Sequence, residues 1–253
     1  MIDSSGLAWR LSLMTEYIAG QGNLKIGDAM LGIAFRVPVG KCSPQAILPD
    51  VQRFADQVTA YSEAKVAMEG RKISCAKGCG ACCRQAVPVS PTEARYLAAL
   101  VEAMPATRAA AVRTRFEEAR KKLAATGLEP PQHPDDEKLA YREYGLAYFQ
   151  AGVPCPFLER ESCSIYADRP LVCREYLVTS PPAACAELKN AQVQQVGVPV
   201  RVWTKFGKSV SSDGNLEWMP LIHALAFADE HPEPIPDQTG PQRVEAFLKE
   251  IQQ

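Results

Sequence analysis

The chain has 253 residues, of which 47% are apolar and 23% are charged, and its formal net charge is −1. This composition excludes a disordered chain and predicts a soluble globular protein with a sizeable core. No apolar run is long enough to cross a membrane, no long basic run is present, and residues 1–17 lack the pattern of a signal peptide. We therefore expect a cytoplasmic protein that contacts neither membranes nor nucleic acids.

The first predicted elements lie before residue 70. Residues 29–39 are apolar and rich in residues that favour strands, so they predict a β-strand. Residues 48–68 carry apolar side chains at helical spacings, among them Val51, Phe54 and Val58, and predict a long amphipathic helix.

Three further helices are predicted in the middle of the chain. A capping box at residues 90–93, with proline at the first helical position, begins the first of them. Gly127 ends the second, and Asp135 or Asp136 caps the third. These helices cover residues 90–104, 105–125 and 135–150.

The last third of the chain predicts more helices and one strand. Residues 198–203 alternate between apolar and polar side chains and can pair with 29–39 in a small sheet. The pattern of the chain is thus mainly α with a small β element. The C-terminal helices are predicted at residues 181–194, 216–229 and 241–251.

The nine cysteines are clustered, which is the most informative feature of the sequence. The first group, C-A-K-G-C-G-A-C-C, holds four of them within residues 75–83, and Gly78 and Gly80 permit a tight turn around an ion. Neighbouring side chains point in different directions, so Cys82 and Cys83 either divide between two metal centres or one of them bridges. Lys77 and Arg84 can offset the charge of thiolates.

The second group is more widely spaced and consists of Cys155, Cys163, Cys173 and Cys185. Asp168 is a candidate N-cap for a helix that begins near Pro170, which would place Cys173 at a helix N-terminus that favours a thiolate. Arg169 and Arg174 are candidate donors to sulfur or partners of an acid. The ninth cysteine, Cys42, matches neither group and is expected to be a plain thiol.

Disulfide bonds are the alternative explanation for clustered cysteines. They belong mainly to short secreted chains that cannot build a core, whereas this chain is long and shows no export signal. In a reducing compartment the same cysteines are typical of metal ligands or redox centres. We therefore expect a helical metal-binding domain organised around a polycysteine site.

These residues resemble a known family. The two groups, with C-P-F-L at 155–158 and C-S-I-Y-A-D-R-P-L-V-C-R at 163–174, resemble the zinc- or iron-chelating cysteine-cluster proteins of the CxxCxxCC (YkgJ) type. The resemblance covers roughly residues 70–190, and the first spacing is x3 where the family name implies x2. It implies a metal site formed by eight cysteines: Cys75, Cys79, Cys82, Cys83, Cys155, Cys163, Cys173 and Cys185.

The all-sulfur donor set suits both zinc and iron, in one or two centres. Only the first group has short spacings, a pattern that slightly favours an iron–sulfur cluster held by one loop and remote ligands. Fewer than eight thiols can also serve, which leaves one or two for other work. The spacing of Cys75, Cys79 and Cys82 also equals the radical-SAM pattern, but a fourth cysteine follows directly and the surrounding sequence is helical, not the strand–helix repeat of that class.

Two functional hypotheses follow. The first is an enzyme that uses the site for redox or protein-modifying chemistry, as the resemblance to a family that includes a flagellin lysine methylase implies. The alternative is a non-catalytic, zinc-stabilised interaction module. The partner, protein or small molecule, is not identified by the sequence. We predict an N-terminal extension (1–47), a cysteine-cluster domain (48–195) and a C-terminal extension packed on the same domain (196–253).

Overall fold

The computed structural model describes residues 8–11, 17–130, 137–187 and 193–253, with the backbone alone for 8–11 and 137–140. Within these residues the fold is mainly α with a smaller β part, as predicted. No helix among them is both long and apolar enough to span a bilayer. The helices are α1 (Leu48–Met68), α2 (Pro91–Glu102), α3 (Ala106–Ala124), α4 (Glu137–Ala151), α5 (Leu171–Glu175), α6 (Pro182–Ala186), α7 (Val202–Val210), α8 (Ala224–Glu230) and α9 (Gly240–Gln252).

The strands form one antiparallel sheet and two short pairs. The sheet has the order β1-β2-β3, and its two long strands are joined by a tight turn at Gly27, whose φ is +60°. Strand β4 pairs with β7, and β5 pairs with β6 in a small hairpin. The strands are β1 (Ala8–Leu11), β2 (Tyr17–Ile26), β3 (Ala29–Pro38), β4 (Pro88–Val89), β5 (Leu158–Glu159), β6 (Ser162–Cys163) and β7 (Met219–Pro220).

The largest core lies between the long hairpin and the helices α1, α7 and α9, a unit that we call the sheet lobe. Alternate side chains of β3 are buried against it, as expected for a strand with one apolar face. The ring of Phe247 makes edge contacts with Phe35, Phe54 and Phe206, at centroid distances of 6.1, 6.1 and 6.2 Å. At Gly240 an added Cβ would lie 2.3 Å from the carbonyl oxygen of Pro38, so α9 and the sheet touch backbone to backbone.

A second core joins α2, α3 and α8 to the β5–β6 hairpin. Phe116 of α3 and Phe157 pack edge to face at 5.3 Å, beside the buried Leu97 and Leu225. A neighbouring core between α3 and α4 contains Leu123, Tyr144, Tyr148 and Ile222 and is bordered by Trp218. The middle helices therefore form a scaffold on which the hairpin is mounted.

Most of the predicted helices are confirmed. Helix α1 has the predicted bounds, and α2 begins with the predicted capping box of Ser90 and Glu93. Helices α3, α4 and α9 lie within a few residues of their predicted positions, while the predicted caps Asp135 and Asp136 of α4 lie outside the described residues.

The strand predicted at 198–203 is wrong. Strand β3 pairs instead with β2, and Val202 begins helix α7. The carboxylate of Glu175 accepts a hydrogen bond from the backbone N–H of Trp203 at 2.9 Å, which satisfies a free donor in the first turn of that helix. Because this cap comes from a distant part of the chain, the alternation of residues 198–203 alone does not predict the helix.

Two C-terminal helices are shorter than predicted. Of the range 181–194, only Pro182–Ala186 is helical in the described residues, which omit 188–192. The range 216–229 divides into β7, one 3₁₀ turn and α8, because the N–H of Leu221 donates to the carbonyl of Val87 at 2.8 Å and β7 pairs with β4.

Candidate metal centre

All nine cysteines have free thiols, so the disulfide alternative finds no support in the structure. Four of them lie on the segment that we call the first cysteine loop, residues 75–83, which follows α1 and ends in one 3₁₀ turn. Cys155 precedes strand β5, Cys163 lies in β6, Cys173 in α5 and Cys185 in α6. The predicted ligands are therefore carried by four separate parts of the fold.

The tertiary structure gathers seven of these thiols around one cavity of about 120 Å³. Its other walls are largely apolar and aromatic, with Phe157, Ile165 and Leu221 among them, and Arg169 is a cation in the wall. The cysteines that line the cavity are Cys75, Cys79, Cys82, Cys83, Cys155, Cys163 and Cys173.

Hydrogen bonds of the backbone shape the first cysteine loop. The N–H of Ser74 donates to the carbonyl of Val178 at 2.9 Å, and the N–H of Val178 donates to the sulfur of Cys75 at 3.4 Å. Gly78 takes a φ of +96°, which permits the turn that the sequence predicts there. These contacts within the protein hold the loop against the segment after α5.

Gly80 has a different role from the one predicted. Its φ is −102°, so no left-handed backbone is needed. An added Cβ would instead lie 2.6 Å from both the carbonyl oxygen of Glu161 and Cδ1 of Leu158. Glycine is required at this position because the β5–β6 hairpin packs directly onto the backbone of the loop.

The hairpin and the loop are joined by further contacts. Arg84 makes two hydrogen bonds with the carboxylate of Glu161, at 3.0 and 2.7 Å, so it pairs with an acid and not with a thiolate. The N–H of Cys155 donates to the carbonyl of Cys83 at 2.7 Å. The tip residues Arg160 and Glu161 have φ values of +48° and +59°, which are costly for non-glycine residues and are held by this docking.

Cys173 lies in a short helix, but the predicted cap is wrong. Asp168 accepts a hydrogen bond from the hydroxyl of Tyr96 at 2.9 Å, while the N–H of Leu171 donates to the buried carboxylate of Glu93 at 2.9 Å. Burial, followed by the neighbouring thiols of Cys155 and Cys82, raises the pKa of Cys173 well above its usual value. Burial therefore outweighs any effect of the helix terminus on the pKa of this thiol.

Burial has the same effect on the other thiols in the wall. It raises the pKa of Cys75 and Cys163, and it raises the pKa of Cys155 to about 12. For Cys82, the hydrogen bond with the Cys83 thiol is the larger cause and burial the second, and its pKa is also raised. A raised pKa favours the protonated thiol, so binding a metal through these sulfurs would release protons.

Arg169 is the cation best placed to interact with a thiolate centre. It lines the cavity, stacks over the ring of Tyr166 at 4.1 Å, and its Nε is buried without a hydrogen-bond partner among the described residues. By contrast, Arg174 is bound to the carboxylate of Asp56 at 2.7 and 2.9 Å, and Lys77 is exposed. Of the four predicted cations, Arg169 is therefore the one that lines the cavity.

Cys185 lies behind the cavity wall and is 3% exposed. Its thiol hydrogen-bonds the hydroxyl of Tyr176, whose backbone carbonyl in turn accepts a weak bond from the Cys75 thiol at 3.8 Å. The sequence did not single out Tyr176, and its only signal was its position close behind Cys173.

Cys42 belongs to another part of the molecule. Its N–H donates to the carbonyl of Gln238 at 2.9 Å, and its own carbonyl accepts from Nε of Arg243 at 2.5 Å. These contacts fasten the segment before α1 to the segment before α9.

The thiol donors suit a metal that prefers sulfur, but they are spread around the wall of the cavity. Among the described residues, no three histidine, cysteine, aspartate or glutamate side chains are already arranged as ligands of one ion. The seven thiols instead surround a common space, beside a guanidinium with an unused donor. Soft thiolate donors of this kind suit zinc and iron–sulfur chemistry.

Comparison with known families agrees with this donor set. Residues 74–197 match the model of the CxxCxxCC family, described as a "Putative zinc- or iron-chelating domain". All eight predicted ligands lie within the matched segment, and Cys42 lies outside it. No curated protein and no solved structure matches the chain.

Proposed function

We propose that this chain, whose residues 74–197 belong to the zinc- or iron-chelating CxxCxxCC family, binds iron–sulfur centres through its clustered cysteines. The ligands are drawn from the eight cysteines of the two sequence groups. The observation that carries the proposal is that seven thiols from separate elements line one cavity.

The size of the cavity supports a cluster over a single zinc ion. Four sulfurs at about 2.3 Å from a zinc ion lie about 3.8 Å from one another and enclose only the ion itself. A cavity of about 120 Å³ has room for several water-sized groups, which suits a group of iron and sulfide ions better.

The residues of the chain would prepare and tune such a centre. Backbone N–H groups of Val178, Phe157 and Ile165 are directed at the sulfurs of Cys75, Cys155 and Cys163, respectively. Such bonds and the cation of Arg169 stabilise negative sulfur, while the apolar wall restricts water; all three influence a reduction potential. An iron–sulfur cluster, when bound, supplies one-electron transfer.

A redox role is therefore the functional extension of the proposal. In this extension, the chain acts in electron transfer or as a redox enzyme on a protein or a small molecule. The methylase-like activity is a prediction from family resemblance alone. The alternative, a zinc-stabilised interaction module, requires the thiols to close around single ions.

Anaerobic purification, visible absorption and metal analysis test the proposal. We expect brown protein with iron and acid-labile sulfide in similar amounts. Cys79→Ser should lower the bound metal substantially, while Cys42→Ser, the matched control outside the cavity, should keep it. Colourless protein under strict anaerobiosis with about two zinc ions per chain would favour the interaction module and refute the iron–sulfur proposal.

A further inference from the structure

Arg169 is a cation in the wall of the cavity without an acid to balance its charge. Its Cζ lies 4.1 Å from the centre of the Tyr166 ring, and both residues line the cavity together with the seven thiols. Within the described parts of the chain, its buried Nε has no hydrogen-bond partner and no carboxylate forms an ion pair with it. Taking a charge out of water without a partner is costly, so an anionic centre in the cavity would balance this guanidinium.

The backbone around Arg169 is held by another arginine, Arg174 of α5. Nε of Arg174 donates to the carbonyl of Arg169 at 3.0 Å, and its Nη2 donates to the carbonyl of Ala167. Because Pro170 follows, the backbone of Arg169 is extended, with φ −58° and ψ 146°. These contacts fix the point from which the Arg169 side chain enters the cavity wall.

Arg174 is fixed in turn by an acid of the sheet lobe. Its Nη1 donates to both carboxylate oxygens of Asp56 on α1, at 2.7 and 2.9 Å. The side chain of Arg174 is 6% exposed and that of Asp56 is 48% exposed. A buried guanidinium needs a charged partner, and charge-assisted hydrogen bonds fix its orientation. Arg174 therefore connects α1, which carries no cysteine, with the segment that carries Arg169.

We propose that Asp56 and Arg174 are positioning residues that hold the guanidinium of Arg169 beside the metal centre and thereby raise its reduction potential. Reduction adds one electron and makes such a centre more negative by one charge. A cation fixed nearby then stabilises the reduced state more than the oxidised state. This inference rests on the proposed iron–sulfur function and adds how the sheet lobe acts on the centre.

Redox titration of the anaerobically loaded protein with dithionite, followed by electron paramagnetic resonance, measures this potential. Arg169→Gln removes the cation and should lower the equilibrium constant of reduction at least about tenfold, which is about 59 mV for one electron. Asp56→Asn should lower it at least about threefold, because Arg174 loses its acid and the segment that carries Arg169 shifts. Asp56→Glu keeps the carboxylate and should restore the wild-type potential.

The sign of the change separates positioning from a direct effect of charge. Asp56→Asn removes a negative charge, which by itself would raise the potential, whereas the loss of positioning lowers it. Asp28→Asn is the matched control, because it removes an acid that is paired with Lys65 at 3.1 Å on the surface of the sheet lobe. Its potential should not fall.

A double variant tests whether Asp56 acts through Arg169. The potential of Arg169→Gln/Asp56→Asn should be no lower than that of Arg169→Gln alone, because there is no cation left to position. A further fall in the double variant would show that Asp56 acts by another route and would overturn the inference.

An unchanged or higher potential in Asp56→Asn also overturns the inference and leaves the iron–sulfur function intact. Wild-type protein without iron and sulfide refutes the proposed function, and the inference with it, before any titration. If Asp56→Asn does not retain the cluster, Arg174→Lys gives the test, since a lysine keeps the charge but has no planar fork to reach both carbonyls. The potential of Arg174→Lys should fall, and an unchanged value would overturn the inference.

Discussion

The sheet lobe and the region around the cysteine cavity are held together in different ways. The sheet lobe has two ten-residue strands, a 21-residue helix and a continuous apolar core centred on Phe247. The cysteine region consists of two-residue strands, 3₁₀ turns and five-residue helices that surround a cavity. Elements this short gain little from their own hydrogen bonds, so the second region depends on its packing against the core of α2, α3 and α8 and, in our proposal, on a bound metal.

We expect the largest effect from removing the metal that we propose for the cysteine region. Chelation under reducing conditions should withdraw binding free energy on the order of 10 kcal/mol from the cysteine region. We expect amide hydrogen exchange to accelerate strongly in the β5–β6 hairpin and α5, while β2 and β3 keep their protection. Equal acceleration in both regions would contradict the comparison.

Truncation of Phe247 tests how far the sheet lobe depends on its apolar core. Phe247→Ala should lower the free energy of unfolding by about 3–5 kcal/mol, because it removes a buried ring that contacts three others. Urea denaturation measures this loss, and the metal content of the folded fraction should not change. The exposed Met68→Ala serves as the control. A loss of metal without a loss of stability would refute the view that Phe247 stabilises the sheet lobe and not the metal site.

Glu175 lies at the junction of the two regions, between α5 and the start of α7. Burial raises its pKa from 4.5 to about 7, so between these two pH values the folded chain holds a proton that the unfolded chain releases. Its contribution to stability therefore declines as pH rises through this range, by up to about 3 kcal/mol.

Glu175→Gln keeps an oxygen for the N–H of Trp203 and cannot ionise. We expect the unfolding free energy of the variant, relative to wild type, to increase as the pH is raised from about 5 to about 7. The exposed Glu230→Gln should give no such trend. A pH-independent difference for Glu175→Gln would show that the buried carboxylate does not titrate in this range.

The smallest expected effect is at the contact between the hairpin and the first cysteine loop. Gly80→Ala should cost about 1–3 kcal/mol, since its methyl group would overlap the backbone of Glu161. We expect weaker metal retention in chelator competition. Gly40→Ala, where an added methyl group meets nothing, is the control. If both variants hold metal equally, the hairpin does not depend on this contact.

Local patterns predicted a large part of the fold. The periodicity of α1 and the capping box of α2 act within a few residues, so their bounds were predictable. Strand β3 was predicted, but its partner β2 was not. Residues 17–26 contain glycine, asparagine and glutamine and become a strand through ten paired positions with β3. Pairing of this kind is a property of two segments and is weak in either alone. The predicted boundaries at residues 47 and 195 stay predictions, while the largest core joins β3, α1, α7 and α9 across both of them.

The sequence by itself predicted the chemistry of the candidate site: sulfur ligands in two groups and a resemblance to a chelating family, which residues 74–197 match. Only the tertiary structure decided how they meet. It brings Cys155, Cys163 and Cys173 to the first cysteine loop, places Cys185 behind Tyr176 and leaves Arg169 as the predicted cation that lines the cavity. These relations depend on packing and hydrogen bonds between residues far apart in the chain, which no local spacing encodes.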